Sequence, residues 1–442
     1  MNSFSVSNGI INIHEPLKVM DPKHPEEIFD RDILKRSELA ERILTRLREK
    51  NCPRALGIYG GWGTGKTSLL NLMKQLNEHE RGGLPSPIQL VSIDAWEHES
   101  VEGLLIPVVA ALDEIKGADV KARELAVIVK RALFASGAVF AGAMLKKYTD
   151  VELSQLQDGI LDAASHDDLA HESILKKWKN QAKEIRETKD AFTALIDSVR
   201  RHNRKDNVII CIDNLDRCSP ENVVRLLESV KVFFDVPKCA WVFAMDFEVI
   251  ASYINHKYEG TSMDGNSYLD KIIPEQYHLS FFPEENDHRV FDLIRSATGS
   301  DLTLNNWRRL PLLPHVLVPR RLKKSAAKFA EYFDGDRTDA DRDTVFLLSL
   351  LYHTWPDFYQ RLSSASVGHV SGVLANFFVS LDSENVKIRR EEYVPLPLDK
   401  KFTEDQDLVY FLKKAFLGDT VDAGLMREIG RAMDGLRQVG LP

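Results

Sequence analysis

The feature that most constrains the fold is a glycine-rich segment between an apolar stretch and a helical pattern. Residues 60–67 read GGWGTGKT and fit G-x-x-x-x-G-K-[ST]. The strand-length run Leu56–Tyr59 precedes the motif, and the apolar-periodic run Ser68–Leu76 follows it. In this context loop N–H groups and a helix N-terminus bind phosphate, Lys66 reaches the β- and γ-phosphates, and the Thr67 hydroxyl ligates Mg²⁺. The predicted phosphate-site residues are Gly60, Gly61, Trp62, Gly63, Thr64, Gly65, Lys66, Thr67 and Ser68.

A second apolar run ends in the acidic residue that such a phosphate site requires. Val208–Ile212 has the composition of a buried strand, and Asp213 follows it as the predicted residue of the Mg²⁺ shell. Hydrolysis commonly uses a further carboxylate next to this aspartate. Asn214 stands there instead, and an amide orients water without accepting its proton. Asp216 either activates water in its place or only pairs with Arg217.

Strand-length apolar runs alternate with helical patterns in the first two-thirds of the chain. This alternation predicts an α/β fold with a mostly parallel sheet covered on both faces. A mostly helical insertion separates the two nucleotide motifs, and after Pro283 only helical patterns follow, which predicts an all-helical lid and tail. The predicted strands are Leu56–Tyr59, Gln89–Ile93, Val208–Ile212, Ala240–Ala244 and Tyr277–Phe281. The predicted C-terminal helices are Arg289–Ala297, Arg320–Tyr332, Thr344–Tyr352, Leu408–Phe416 and Leu425–Leu436.

Composition and charge limit the class of protein. The 442 residues include 58 basic and 66 acidic side chains, and the formal net charge is −8. This balance argues against a protein that coats nucleic acid by charge alone. Four cysteines without a CxxC pair indicate reduced thiols, with neither a disulfide framework nor a zinc site. The N-terminus lacks the basic region and apolar core of a secretion signal, so a cytoplasmic protein is expected.

Two stretches of the insertion leave alternatives open. Ala132–Leu145 is apolar, but as a helix it reaches roughly 21 Å, short of the roughly 30 Å hydrocarbon core. It is either a buried or interface helix or a segment that dips into a membrane. Trp178, Ile185, Phe192 and Val199 recur every seven residues and predict a long packed helix. The basic residues on its other faces form either a solvated surface or a surface for nucleic acid or a partner.

Several segments together resemble the KAP family of P-loop ATPases, in the division that contains AAA-type and STAND proteins. Trp62 inside the phosphate loop, Asp94–Trp96 after the second strand, and Asp213–Cys218 followed by Pro220 are similar to motifs of that family. The resemblance runs from about residue 30 to residue 335. Further matching segments are Ile33–Ala40, Leu226–Glu228, Phe243–Asp246 and Pro319–Lys323.

The resemblance implies roles for further residues. Asp246 ends a strand where related ATPases place a γ-phosphate-sensing polar residue, and Arg320 is the implied nucleotide sensor in the helical lid. Arg36 either contacts the nucleotide or only frays at the beginning of a helix. Arg217 is either part of a structural ion pair with Asp216 or a catalytic arginine that acts on a neighbouring subunit.

This sequence departs from the family pattern in two places. The family usually has an acidic residue where Asn214 stands, which implies slow or absent turnover. Many members also insert a pair of transmembrane helices, whereas the corresponding stretch here holds only Ala132–Leu145, so membrane anchoring does not carry over. Trp62 and Trp96 are either part of the site or only packing residues. Prokaryotic members resemble components of anti-phage defence.

The expected organisation is an N-terminal arm (1–29), a P-loop core (30–96 and 207–283), a helical insertion (97–206), a helical lid (284–335) and a C-terminal helical domain (336–442). The leading interpretation is an Mg-ATP-dependent ATPase that acts as a switch or motor in a homo-oligomer or a complex with another protein. No N/T-K-x-D motif is present, which favours ATP over GTP. One alternative is an ATP-dependent interaction scaffold with little hydrolysis, which Asn214 favours. A small-molecule or polynucleotide kinase lacks a specific sign in the sequence.

Overall fold

The chain divides into two compact units, one formed by Pro16–Leu279 and one formed by Met1–Glu15 together with Ser280–Pro442. A computed structural model describes residues 27–78, 86–99, 105–115, 168–260, 263–279, 288–298, 309–333, 340–363, 400–417 and 423–441, with isolated positions between 124 and 129.

The first unit is built around a parallel sheet of five strands. The strands are β1 (Ala55–Tyr59), β2 (Ile88–Asp94), β3 (Asn207–Asp213), β4 (Cys239–Met245) and β5 (Glu275–His278). They lie in the order β2-β3-β4-β1-β5, and all four pairings are parallel. Because the strands are parallel, their carboxyl ends meet at one edge, where β1 leads into the glycine-rich loop and β3 ends at Asp213. The structure confirms the predicted α/β fold.

Helices cover both faces of this sheet. Along β4, Trp241 and Phe243 point into one core, while Ala240 and Val242 point into the other, as the two-residue period of a strand requires. The helices of this unit are α1 (Glu27–Asp30), α2 (Arg36–Arg48), α3 (Lys66–Glu78), α4 (Leu105–Glu114), α5 (Asp168–His202), α6 (Pro220–Val230), α7 (Phe247–Lys257) and α8 (Gly265–Ile272). Helices α2 and α3 cover one face, and α4 to α8 contribute to the core on the other.

The fifth strand begins earlier than the sequence predicts. The prediction Tyr277–Phe281 was wrong in its bounds, since β5 spans Glu275–His278 and Phe281 lies outside the described residues. The backbone N–H of Leu279 still donates to the Tyr59 carbonyl at 2.6 Å. The strand lies at the edge of the sheet and its side chains are partly exposed, so apolar content does not mark its beginning.

The long helix predicted in the insertion is present as α5. Phe192 and Val199 are buried and Ile185 is half-buried, while the Trp178 side chain lies outside the described residues. The stretch 132–145 also lies outside them. Among the helices that the structure describes, none combines the length and apolar character needed to cross a membrane.

The described part of the second unit is helical, as predicted for the lid and tail. Its helices are α9 (His288–Thr298), α10 (Pro319–Phe333), α11 (Arg342–Thr354), α12 (Pro356–Ser363), α13 (Lys400–Thr403), α14 (Gln406–Leu412) and α15 (Ala423–Gln438), with a π-helical turn at Lys413–Leu417. Phe329 of α10 packs edge-on against Phe346 of α11. Arg309, which lies outside these helices, connects two segments of the unit. Its side chain donates to the Asp341 carboxylate at 2.7 Å and to the Ala415 carbonyl at 2.8 Å.

Candidate nucleotide-binding site

The glycine-rich loop connects β1 to α3 in a conformation that depends on its glycines. Gly63 and Gly65 have φ angles of 85° and 102°, in the left-handed region that residues with a Cβ rarely adopt. A Cβ at Gly60 would lie 2.6 Å from Thr64 Oγ1 and 3.2 Å from the Leu279 carbonyl oxygen. The loop therefore wraps tightly and leads into the N-terminus of α3, the geometry that binds phosphate.

Lys66 begins α3 and its side chain folds back over the loop. Its Nζ donates to the carbonyl oxygens of Gly60 at 2.7 Å and Gly61 at 3.3 Å. It also lies 3.5 Å from Asp216 Oδ2, and both side chains of this ion pair are about nine-tenths buried. The ammonium group is thus held at the place where a phosphate would meet the loop.

Thr67 and Asp213 meet although 146 positions separate them in the sequence. Thr67 Oγ1 donates to Asp213 Oδ2 at 2.6 Å, and the Asn214 backbone N–H donates to Asp213 Oδ1 at 2.8 Å. Burial raises the pKa of Asp213, while the hydrogen bonds from Thr67 and Asn214 oppose that rise. A hydroxyl and a carboxylate oxygen this close form a donor set that fits Mg²⁺, a hard cation that takes oxygen ligands.

Asn214 makes a contact that the sequence does not predict. Its backbone is left-handed, with a φ angle of 60°, and its side-chain Nδ2 donates to Asp94 Oδ2 at 2.7 Å. Asp94 is the last residue of β2 and lies in register with Asp213, the last residue of β3. Asp94, the acidic residue two positions before Trp96, could have indicated this contact. It does so only when β2 is known to lie beside β3.

Arg217 lies between two exposed tryptophans. Its guanidinium carbon is 5.1 Å from the ring centroid of Trp62 and 5.4 Å from that of Trp96. Both indoles are more than half exposed, at 61% and 53%, so neither is a core packing residue. Among the described residues the ion-pair partner of Asp216 is Lys66 and not Arg217. We call Trp62, Arg217 and Trp96 the tryptophan–arginine stack.

Carboxylates crowd the same edge of the sheet. Burial, together with the nearby charges of Glu99, Asp94 and Asp216, raises the pKa of the Cys218 thiol to about 12. Asp246 follows β4 and is the N-cap residue of α7, without a capping bond from its side chain. A Cβ at Gly61 would lie 3.7 Å from its Oδ2. Such an edge attracts cations, which suits a site for a metal-bound nucleotide.

Three further predicted residues lie in defined elements. Ser68 is in the first turn of α3. Arg36 is the first residue of α2, where the Asp32 carboxylate accepts from its backbone N–H at 2.9 Å and so fixes the beginning of the helix. Arg320 is the second residue of α10, in the other unit. The contacts of Arg36 and Arg320 with a nucleotide stay predictions.

Segments of this chain are similar in sequence to known proteins. Residues 36–297 match the KAP family P-loop domain. The rat protein named kinase D-interacting substrate of 220 kDa is 28% identical over 118 residues, 25% of this chain and 6% of its own length. An uncharacterised protein of Methanocaldococcus jannaschii is 34% identical over 77 residues, 17% of this chain and 35% of its own length. The chain thus spans only a small part of the curated relatives it matches.

Solved structures with a similar chain course include the Aeropyrum pernix ORC2 protein and a Walker-type ATPase of Pyrococcus abyssi. The first is 12% identical with a TM-score of 0.36, over 97% of this chain and 96% of that chain. The second is 14% identical with a TM-score of 0.36, over 96% and 99%. Scores this low carry no weight for the assignment, which rests on the match over more than half of the chain and on the strand–loop–helix geometry around Lys66. The chain belongs to the KAP family of P-loop NTPases.

Proposed function

We propose that the chain binds Mg-ATP at the glycine-rich loop and hydrolyses its γ-phosphate. The observation that carries the proposal is the junction of loop and sheet, where Thr67 Oγ1 lies 2.6 Å from Asp213 Oδ2. Mg²⁺, when bound, neutralises the charge of the β- and γ-phosphate oxygens, and Thr67 and Asp213 would hold it. Lys66 exchanges the carbonyl oxygens of Gly60 and Gly61 for phosphate oxygens when a nucleotide binds.

Turnover of the purified chain, measured with its affinity for ATP, tests this proposal. Lys66→Ala removes a charge-assisted bond to phosphate, so we expect ATP affinity to fall about tenfold or more and turnover to be lost. The matched control is Lys74→Ala, which changes an exposed lysine of the same helix and should behave as the wild type. Equal turnover of wild type and Lys66→Ala would contradict the ATPase proposal.

A second candidate function is an ATP-dependent scaffold that scarcely hydrolyses the nucleotide. Asn214 favours it, because an amide in the position after the Mg²⁺ aspartate cannot accept a proton from water. The same two measurements distinguish the candidates. ATP binding that depends on Lys66, without turnover that depends on Lys66, would favour the scaffold.

We infer that the nucleotide controls an assembly. The carboxylate-rich edge and the exposed position of the tryptophan–arginine stack support a contact near the site that a neighbouring subunit completes, since an added arginine strongly accelerates phosphoryl transfer. Particle mass with and without Mg-ATP, alone and with nucleic acid, tests assembly and partner class together. A mass that ATP leaves unchanged would contradict the assembly proposal.

The KAP resemblance favours a role of this assembly in prokaryotic anti-phage defence. Phage plating on cells that express the wild type or Lys66→Ala tests that role. Protection by the wild type alone is the expected result, and equal plaque counts on both strains would contradict it.

A further inference from the structure

ATP hydrolysis places a chemical demand on the edge where β2 and β3 end. The attacking water needs a group that orients it and takes its proton near the γ-phosphate. The residue directly after Asp213 is an amide and cannot do this. Of the carboxylates at this edge, Asp94 contacts Asn214 and Asp216 contacts Lys66, so their surroundings differ.

Asp216 is committed to the lysine of the loop. Its Oδ2 lies 3.5 Å from Lys66 Nζ, and the Asp216 side chain is only 10% exposed. Its other oxygen, Oδ1, is buried without a hydrogen-bond partner among the described residues. The Asp216 carboxylate is therefore occupied by the lysine of the phosphate loop.

Asp94 accepts a hydrogen bond from Asn214, the amide that stands where the family usually has an acid. Its Oδ2 accepts from Asn214 Nδ2 at 2.7 Å, and its Oδ1 accepts from the Trp96 backbone N–H at 3.0 Å. Asn214 bridges two carboxylates, because its backbone N–H donates to Asp213 at 2.8 Å. Neighbouring strands lie about 4.8 Å apart, so Asp94 stands one strand away from the Mg²⁺ aspartate at the same edge.

We propose that Asp94 is the proton acceptor for the attacking water and that Asn214 is the positioning residue that orients it. The water oxygen forms a bond to the γ-phosphorus while the bond from that phosphorus to the bridging oxygen breaks, and ADP leaves with the electron pair. The water proton passes to the Asp94 carboxylate and then to solvent. The inference rests on the proposed ATPase function and moves the proton acceptor from the position after Asp213 to the end of the neighbouring strand.

The test is an exchange of the two side chains, with turnover, ATP affinity and the midpoint of denaturant unfolding measured for each variant. Asp94→Asn should lower turnover about 10²-fold or more while ATP affinity changes less than about threefold. Asn214→Asp alone places two carboxylates at the 2.7 Å contact and should lower the unfolding midpoint. The double variant Asp94→Asn/Asn214→Asp restores one acid and one amide, and should recover both the midpoint and most of the turnover.

Two controls separate this proposal from the ATPase proposal itself. Glu97→Gln removes an exposed acid three positions further along and should turn over as the wild type. Wild-type turnover by Asp94→Asn, together with loss of turnover by Lys66→Ala, would overturn the role of Asp94 and leave the ATPase proposal intact. A double variant that folds and binds ATP but turns over no faster than Asp94→Asn would also overturn it. Equal turnover of wild type and Lys66→Ala would overturn both proposals.

Discussion

The tryptophan–arginine stack makes a quantitative prediction about the candidate site. A guanidinium over an exposed indole contributes about 0.5–1 kcal/mol. Arg217 lies 5.1 Å and 5.4 Å from two ring centroids, so the two contacts together should contribute about 1–2 kcal/mol. We expect this free energy to appear as coupling between Arg217 and each tryptophan.

Double-mutant cycles measured by denaturant unfolding report that coupling directly. The variants are Trp62→Ala, Trp96→Ala and Arg217→Gln, alone and in pairs. Each tryptophan paired with Arg217 should give a coupling energy of about 0.5–1 kcal/mol. The control cycle pairs Arg217→Gln with Asp216→Asn and should give none, because Asp216 pairs with Lys66.

Two results would refute this reasoning. Coupling energies below about 0.3 kcal/mol for both tryptophans would mean that the stack does not form in solution. A coupling above about 0.5 kcal/mol between Arg217 and Asp216 would instead restore the structural ion pair that their adjacency in the sequence suggests. If the stack contributes about 1–2 kcal/mol, Arg217 is unstacked in roughly 3–15% of molecules. In those molecules Arg217 would be available to contact another subunit.

Two further predictions concern the sheet face opposite α2 and α3. Glu228 is 2% exposed and accepts from Lys257 at 2.9 and 3.0 Å and from the buried Tyr258 hydroxyl. Glu228→Leu leaves that hydroxyl without its acceptor and should lower the unfolding free energy by about 1–3 kcal/mol in denaturant titration. A loss as small as that of the exposed control Glu221→Leu would contradict this. Burial lowers the pKa of Lys231 to about 8, so its charge destabilises the fold below that pH. Lys231→Met should therefore stabilise the protein at pH 7, and the gain should shrink as the pH rises above 8. A gain that does not change with pH would contradict this cause.

The sequence predicts the central sheet well for a physical reason. Strands β1, β3 and β4 are buried at every position, so continuous apolar runs mark them to within a residue at each end. Strand β5 is partly exposed and has no continuous apolar run, and its predicted bounds lie two to three residues too far toward the C-terminus. Strand β2 is also partly exposed at a sheet edge, but its apolar residues still mark it to within a residue at each end.

The candidate site divides in a similar way. The loop around Lys66 is contiguous in the chain, so its residue types and spacing suffice to predict it. The contact between Lys66 and Asp216 and the stack around Arg217 join distant segments, so neither follows from the adjacency of Asp216 and Arg217, whose pairing was one of two alternatives. The side chains that meet at the end of a sheet depend on the order of its strands. The sequences of parallel strands alone do not determine that order.

Asn214 shows why that order matters for chemistry. Considered alone, an amide after Asp213 removes the usual proton acceptor and implies slow turnover. Considered with β2 beside β3, it is half of a hydrogen-bonded pair whose other half, Asp94, is a carboxylate at the same edge. In the proposed mechanism, either order of acid and amide would place one carboxylate next to Asp213 and give it one donor. The proposal therefore predicts that an acid at position 214 is tolerated only when position 94 becomes an amide.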